Sequence, residues 1–211
     1  MYLVKDFKKI LKDLEPFVTR ADKKGRLWLH NGNNEKRKMD AIKVKDGTLF
    51  KLRPREAWAN WLICVVLQHI TGDEITFSDS EHGDGYIWNK TKGEVIITEH
   101  VAAMDFPNTT IPTGEERVIW AIEKKIKKGK EYAQGKHLVV FMDGAGKWYP
   151  TKVGRQTSGK HNFESIFCVG LITGDESGYK YGLTQFFPSH SPCWEIQINS
   201  DFTDWTITQI Q

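Results

Sequence analysis

The apolar positions at the start of the chain follow a helical rhythm. Leu3, Phe7, Ile10, Leu11 and Leu14 recur at helical spacing with lysines between them, which predicts a helix that Pro16 ends. Residues 19–53 then carry only short apolar patches, LWLH, AIKV and TLFKL, between NGNN and DG turn signals, and read as short strands and loops. Pro54 opens a second helical pattern, PREAWANWLICVVLQHITG. There Trp58, Trp61, Leu62, Val65 and Val66 form one broad apolar face and Gly72 supplies a stop, so this helix is expected to be largely buried.

The period then changes. EITFSD reads as a short strand, and GYIWN and EVIITEHVAA as two more, joined by the turn KTKG into a hairpin. After a Pro- and Thr-rich loop, Thr113 is expected to cap a helix with Glu115 and Glu116 in its first turn, running to about Ala133. HLVVFMDG is an apolar strand ending in a DG turn, and GAGKWYPTKVGRQTSGKHN reads as a long Gly- and Lys-rich loop. FESIFCVGLIT (which also fits a short helix), GYKYGLTQFF and CWEIQIN follow as strands, with GDESG as a hairpin turn and WTITQI as a last short strand. From residue 54 to 142 the order is helix, three strands, helix, strand. This predicts an α/β (α+β) chain in which helices cover a central mixed sheet. No linker-like composition divides it, so residues 1–53 are expected to form an extension packed on a core of residues 54–211, with β-hairpins at the C-terminal end.

Composition narrows this picture only slightly. With 211 residues, 39% of them hydrophobic, the chain can bury one sizeable core. Its three cysteines are far apart and form no CxxC pair, which argues against a disulfide framework or a structural zinc site; Cys64 and Cys168 read as core residues. The N-terminus has no apolar signal region and no stretch approaches the ~20 apolar residues of a membrane span, so a cytoplasmic protein without a membrane partner is expected. A net charge of +3 is too small to indicate a nucleic-acid partner by itself, so the distribution of charge matters more.

Two carboxylates stand out. Asp84 lies in a Gly-Asp-Gly turn at the start of one hairpin strand, and Glu99 interrupts the apolar run VII…VAA of the other. If KTKG closes the hairpin near its middle, the two come close across the ladder. Their mutual repulsion would then be relieved by a divalent cation, and hard oxygen ligands suit Mg²⁺ or Mn²⁺. A turn aspartate and an exposed strand glutamate are the plain alternative. The position of Glu99 inside an apolar strand tilts the balance, because a carboxylate there needs a partner.

Helix, three-strand meander, helix and strand, with Asp84 at the second strand and Glu99 in the third, resembles the PD-(D/E)XK nuclease superfamily over about residues 55–142. The resemblance implies a restriction-endonuclease-like core and a metal-dependent DNA endonuclease of the restriction, defence or mobile-element type. Asp84 and Glu99 would ligate Mg²⁺, and Glu56 in the first turn of its helix would match the helix glutamate of many members. It also implies a possible homodimer. The family's lysine two residues after the glutamate is missing, since Glu99-His100-Val101 stands there. Three readings are open. The lysine has migrated to the following helix, where Lys125 falls within the margin of the buried face, on a stripe with Gly129 and Tyr132. Alternatively His100 serves, although neighbours on a strand point to opposite faces. Or the site is an inactive relic that binds nucleic acid without cutting it.

Other motifs carry less. The histidines include no HExxH, and GAGK lacks the rest of a phosphate loop. The basic residues of 19–53 suit either a solvated surface or a phosphate-facing arm. In the loop after HLVVFMDG, Lys147, Trp148, Lys152, Arg155, Lys160 and His161 combine cations with aromatics, a composition able to contact phosphates and stack on bases of DNA.

Overall fold

A computed structural model describes residues 3–21, 23, 27, 29, 42–43, 49–50, 52–79, 84–104, 114–142 and 148–211, with backbone only at 42–43 and 49–50. The first helix, α1, spans Phe7–Val18 rather than starting at Leu3. Asp6 caps it, its side chain accepting from the Lys8 and Lys9 amides, while Val4 N donates to Phe77 O and so turns the preceding residues toward the sheet. Pro16 does not end α1. In the last turn its missing N–H forfeits a single hydrogen bond, and the burial of Val18 in the core holds the turn. A small antiparallel pair, β1 (Ile42–Lys43) and β2 (Leu49–Phe50), follows within the basic stretch, most of which lies outside the described residues.

Helix α2 spans Pro54–Thr71. Pro54 opens it, and Gly72, at φ 72°, ends it with its amide on Gln68 O. Ala57 to Val66 are all buried, so α2 is the central helix that its apolar run foretold. Trp58 stacks on Trp61 at 5.3 Å and meets Tyr181 edge-on.

Strands β3 (Ile75–Ser78), β4 (Tyr86–Asn89) and β5 (Glu94–Ala103) form an antiparallel meander. Helix α3 (Glu115–Ile126) and the short α4 (Lys130–Ala133) lead to β6 (Lys136–Met142), which lies parallel to β5. Helix α5 (Pro150–Thr157) leads to β7 (Ser165–Asp175), parallel to β6. The chain finishes as an antiparallel run of β8 (Gly178–Gln185), β9 (Cys193–Asn199) and β10 (Trp205–Gln209). The result is an α+β fold on one eight-stranded mixed sheet in the order β10-β9-β8-β7-β6-β5-β4-β3.

Alternation along β6 separates two cores. Val139 and Phe141 join α1 and α2 on one face, while Leu138 and Val140 join α3 and α5 on the other. Among the described residues no helix is long and apolar enough to cross a membrane. All three cysteines are free and buried.

Two expectations on the second face need correction. The helix after residue 114 does not run unbroken to Ala133; Gly129, at φ 93°, divides α3 from α4. Its N-cap is Gly114, and Thr113 lies outside the described residues. The stretch read as a long loop contains α5, with Pro150 at its first turn and Val153, Gly154 and Thr157 buried at helical spacing. Gly154 permits close packing: a Cβ there would stand 2.6 Å from Phe187 O.

Candidate active site

Strand β5 carries the site because it outruns its antiparallel neighbour. Paired residues of β4 and β5 run from Tyr86↔Ile97 to Asn89↔Glu94 around a turn at residues 90–93. Beyond Tyr86 the ladder becomes irregular: Thr98 O accepts from Asp84 N at 3.0 Å, while Thr98 N donates to Gly85 O at 2.8 Å. Two residues thus oppose one, a bulge-like step that aims a side chain. That side chain is Asp84, whose Oδ2 accepts the His100 amide at 2.8 Å. Gly85 has to be glycine, because its φ is 129° and a Cβ would lie 2.5 Å from the Asn60 amide nitrogen.

Glu99 points to the other face, toward α3 and α4. Lys125 Nζ donates to Glu99 Oε2 at 3.2 Å, and Lys136 Nζ donates to Oε1 at 3.2 Å. The Tyr132 hydroxyl donates to Oε2 and accepts from Lys125 at 3.0 Å. Burial alone would raise the Glu99 carboxyl, but the Tyr132 hydrogen bond and the two lysines hold it below its ordinary value. The same burial, with the Glu99 contact and Asp84 nearby, pushes the Tyr132 hydroxyl far up, so it stays a protonated donor.

Lys125 occupies the place that its position on the helix suggested, in line with the buried Val118, Ala121 and Ile122. Two partners escaped the sequence reading. Lys136 shares the Glu99 face because the parallel register sets it beside Ile97. Tyr132 had a visible signal in its stripe with Lys125, and the break at Gly129 swings it in; its ring also lies 4.4 Å from each of Lys128 Nζ and Lys136 Nζ.

Glu56 sits in the first turn of α2, where Oε2 accepts the Arg53 amide at 2.9 Å. Burial, with Asp84 next in weight, pushes its carboxyl up to about 7. The folded form therefore keeps a proton that the unfolded chain releases near 4.5, and stability falls as pH rises from 4.5 through 7. Over the whole window the cost is about 3 kcal/mol. Glu56→Gln keeps the capping acceptor, so urea denaturation is expected to show it up to about 3 kcal/mol more stable than wild type at pH 8 and equal to it at pH 4.

The donor set meets part of the requirement for a divalent cation. Glu56 and Asp84 offer hard oxygens whose mutual repulsion a cation would relieve. Glu99 already has hydrogen-bond donors on both oxygens, so it joins them only by exchanging a lysine. Among the described residues no group of three or more His, Cys, Asp or Glu side chains is placed to hold a metal ion.

His100 faces α2 and not Glu99, as strand alternation requires. Its Nε2 lies 3.1 Å from Asn60 Oδ1. Burial first, then the nearby Lys125 and Arg55, hold its pKa down to about 3, so the ring is neutral.

The proposed DNA-facing residues lie elsewhere. Trp148 is half-buried and packs edge-on against Phe186 at 6.0 Å, whereas its neighbour Tyr149 is 71% exposed. Lys152 pairs with Glu115 at 3.4 Å. Arg155 and Lys160 are exposed, and His161 is half-buried with its pKa lowered by that burial. Lys147 lies outside the described residues. Since Glu115 and Lys125 stand at opposite ends of α3, this surface is roughly 15 Å from the Glu99 cluster at 1.5 Å rise per residue.

No protein-family model matches the chain, and no curated protein matches its sequence.

Proposed function

We propose that the protein is a metal-dependent DNA endonuclease similar to restriction-type, defence or mobile-element nucleases, with a restriction-endonuclease-like core over about residues 55–142. The observation that carries this reading is the hydrogen bond from Lys125, on the helix after the hairpin, to Glu99 in β5. The group missing from position 101 is supplied from α3, beside a glutamate on the strand paired with Asp84. The order of α2, three strands, α3 and β6 supports the same reading.

In this mechanism Asp84, supported by Glu56, would hold Mg²⁺ or Mn²⁺, and Glu99 would join as a ligand by exchanging a lysine. The cation supplies charge stabilisation at the phosphoryl oxygen and a lowered pKa for bound water. Lys125 orients the attacking water and offsets charge that develops on the phosphate. Tyr132 and Lys136 hold Glu99, and so fix where Lys125 stands. Arg155, Lys152 and Lys160, with Tyr149 exposed among them, would contact the flanking backbone, and the family resemblance alone implies a homodimer.

One observation favours a second reading, a nucleic-acid-binding module that does not cut: both Glu99 oxygens are already taken by protein donors. Incubation with supercoiled plasmid in Mg²⁺ or Mn²⁺ separates the two. The nuclease nicks or linearises DNA, and both Asp84→Ala and Glu99→Ala abolish the activity. Salt-dependent DNA binding without cleavage in either metal points to the module.

A further inference from the structure

The α2 face of β5 carries a polar cluster that the mechanism above leaves idle. Asn60 is wholly buried in the middle of α2. Its Nδ2 donates to Asp84 O at 3.3 Å, which leaves Oδ1 as the acceptor. His100 Nε2, 3.1 Å from that Oδ1, must therefore be the donor, and the neutral ring carries its hydrogen there. His100 also gives its backbone amide to Asp84 Oδ2 at 2.8 Å. The aspartate is thus held at its main chain through Asn60 and at its side chain by His100. Gly85 lets Asn60 approach, since a Cβ in its place would meet Nδ2 at 2.5 Å.

This arrangement is a poor way to gain stability. His100 Nδ1 is shielded from solvent and has no hydrogen-bond partner among the described residues. A shielded acceptor left unmade is costly, and an apolar side chain of similar size would avoid that cost. The hydrogen bond that the ring does make, to Asn60 Oδ1, leads on through the Asn60 amide to Asp84 O.

We infer that Asn60 and His100 are positioning residues that clamp Asp84, and that the residue between Glu99 and Val101 serves the site from the opposite face of the sheet. The consequence for metal binding rests on the nuclease reading, while the clamp has a readout of its own. Residues that orient metal ligands typically contribute about 10–100-fold to metal affinity.

The test uses the full chain with His100→Leu, His100→Gln and Asn60→Leu. Melting temperature, Mn²⁺ affinity by electron paramagnetic resonance, and hydrogen exchange of the His100 amide in metal-free protein are measured. His100→Leu is expected to melt at or above the wild-type temperature yet bind Mn²⁺ about tenfold or more weakly. His100→Gln, whose amide can donate to Asn60 Oδ1, recovers affinity to within a few-fold. In Asn60→Leu the His100 amide exchanges faster. Wild-type Mn²⁺ affinity in His100→Leu overturns the clamp, as does a well-folded His100→Gln that fails to recover. If wild type binds no Mn²⁺, the nuclease reading falls and exchange alone decides: an unchanged His100 rate in Asn60→Leu then refutes the clamp.

Discussion

On the nuclease reading, Lys125→Met is expected to lower the single-turnover rate of Mg²⁺-dependent plasmid cleavage by about 10²–10³-fold, the usual loss when one preorganised donor is removed from a transition state. Methionine keeps much of the apolar stem that packs beside Val118, Ala121 and Ile122, so α3 should stay in place. DNA affinity should change little, because Lys125 is only 9% exposed and cannot supply much backbone contact. The loss therefore falls on the rate and not on binding. Lys136→Met is the necessary comparison, because both lysines donate to Glu99. A larger loss in Lys136→Met moves the catalytic role to the start of β6. Cleavage within about threefold of wild type in both variants removes lysine from the mechanism, since a factor of ten corresponds to only about 1.4 kcal/mol.

How far the site could be read from sequence depended on the range of the interaction. The β4–β5 hairpin was legible because KTKG and the flanking strands are local, and it brought Asp84 to the residue after Glu99. Lys125 was legible for a different reason: the family resemblance points the missing lysine to the following helix, and there Lys125 falls within the margin of the buried face. Lys136 gave no such signal. A lysine just before an apolar strand looks like an ordinary boundary residue, and only the parallel register of β5 and β6 sets it on the Glu99 face. Tyr132 lay between these cases, with its stripe visible but its approach dependent on the break at Gly129. Errors elsewhere had the same origin. Local composition makes Pro16 a stop and Pro150–Thr157 a loop, while burial of Val18, Val153 and Gly154 decides their conformation.

The same cluster yields a large destabilisation. Glu99→Leu would leave the Lys125 and Lys136 ammonium groups without their carboxylate, and losing one partner of a buried ion pair costs about 3–5 kcal/mol. The side chains of Lys125 and Lys136 are 11% and 17% exposed, so some rehydration is available and the loss should lie near the lower end, about 3 kcal/mol. Urea denaturation at pH 7 measures it. The pH dependence follows from the lowered Glu99 carboxyl. Its contribution is complete above the ordinary value of 4.5 and is lost as pH falls through the lower folded value, so wild type and variant should converge toward acid. Removing all three charges with Glu99→Leu, Lys125→Met and Lys136→Leu should restore stability to within about 1 kcal/mol of wild type or exceed it, because apolar replacements avoid the desolvation cost altogether. Such recovery, combined with lost cleavage, would mean that the carboxylate and its lysines are kept for chemistry and not for the fold. A triple variant as unstable as Glu99→Leu alone would instead make the network a structural pillar of the β5–β6 pair.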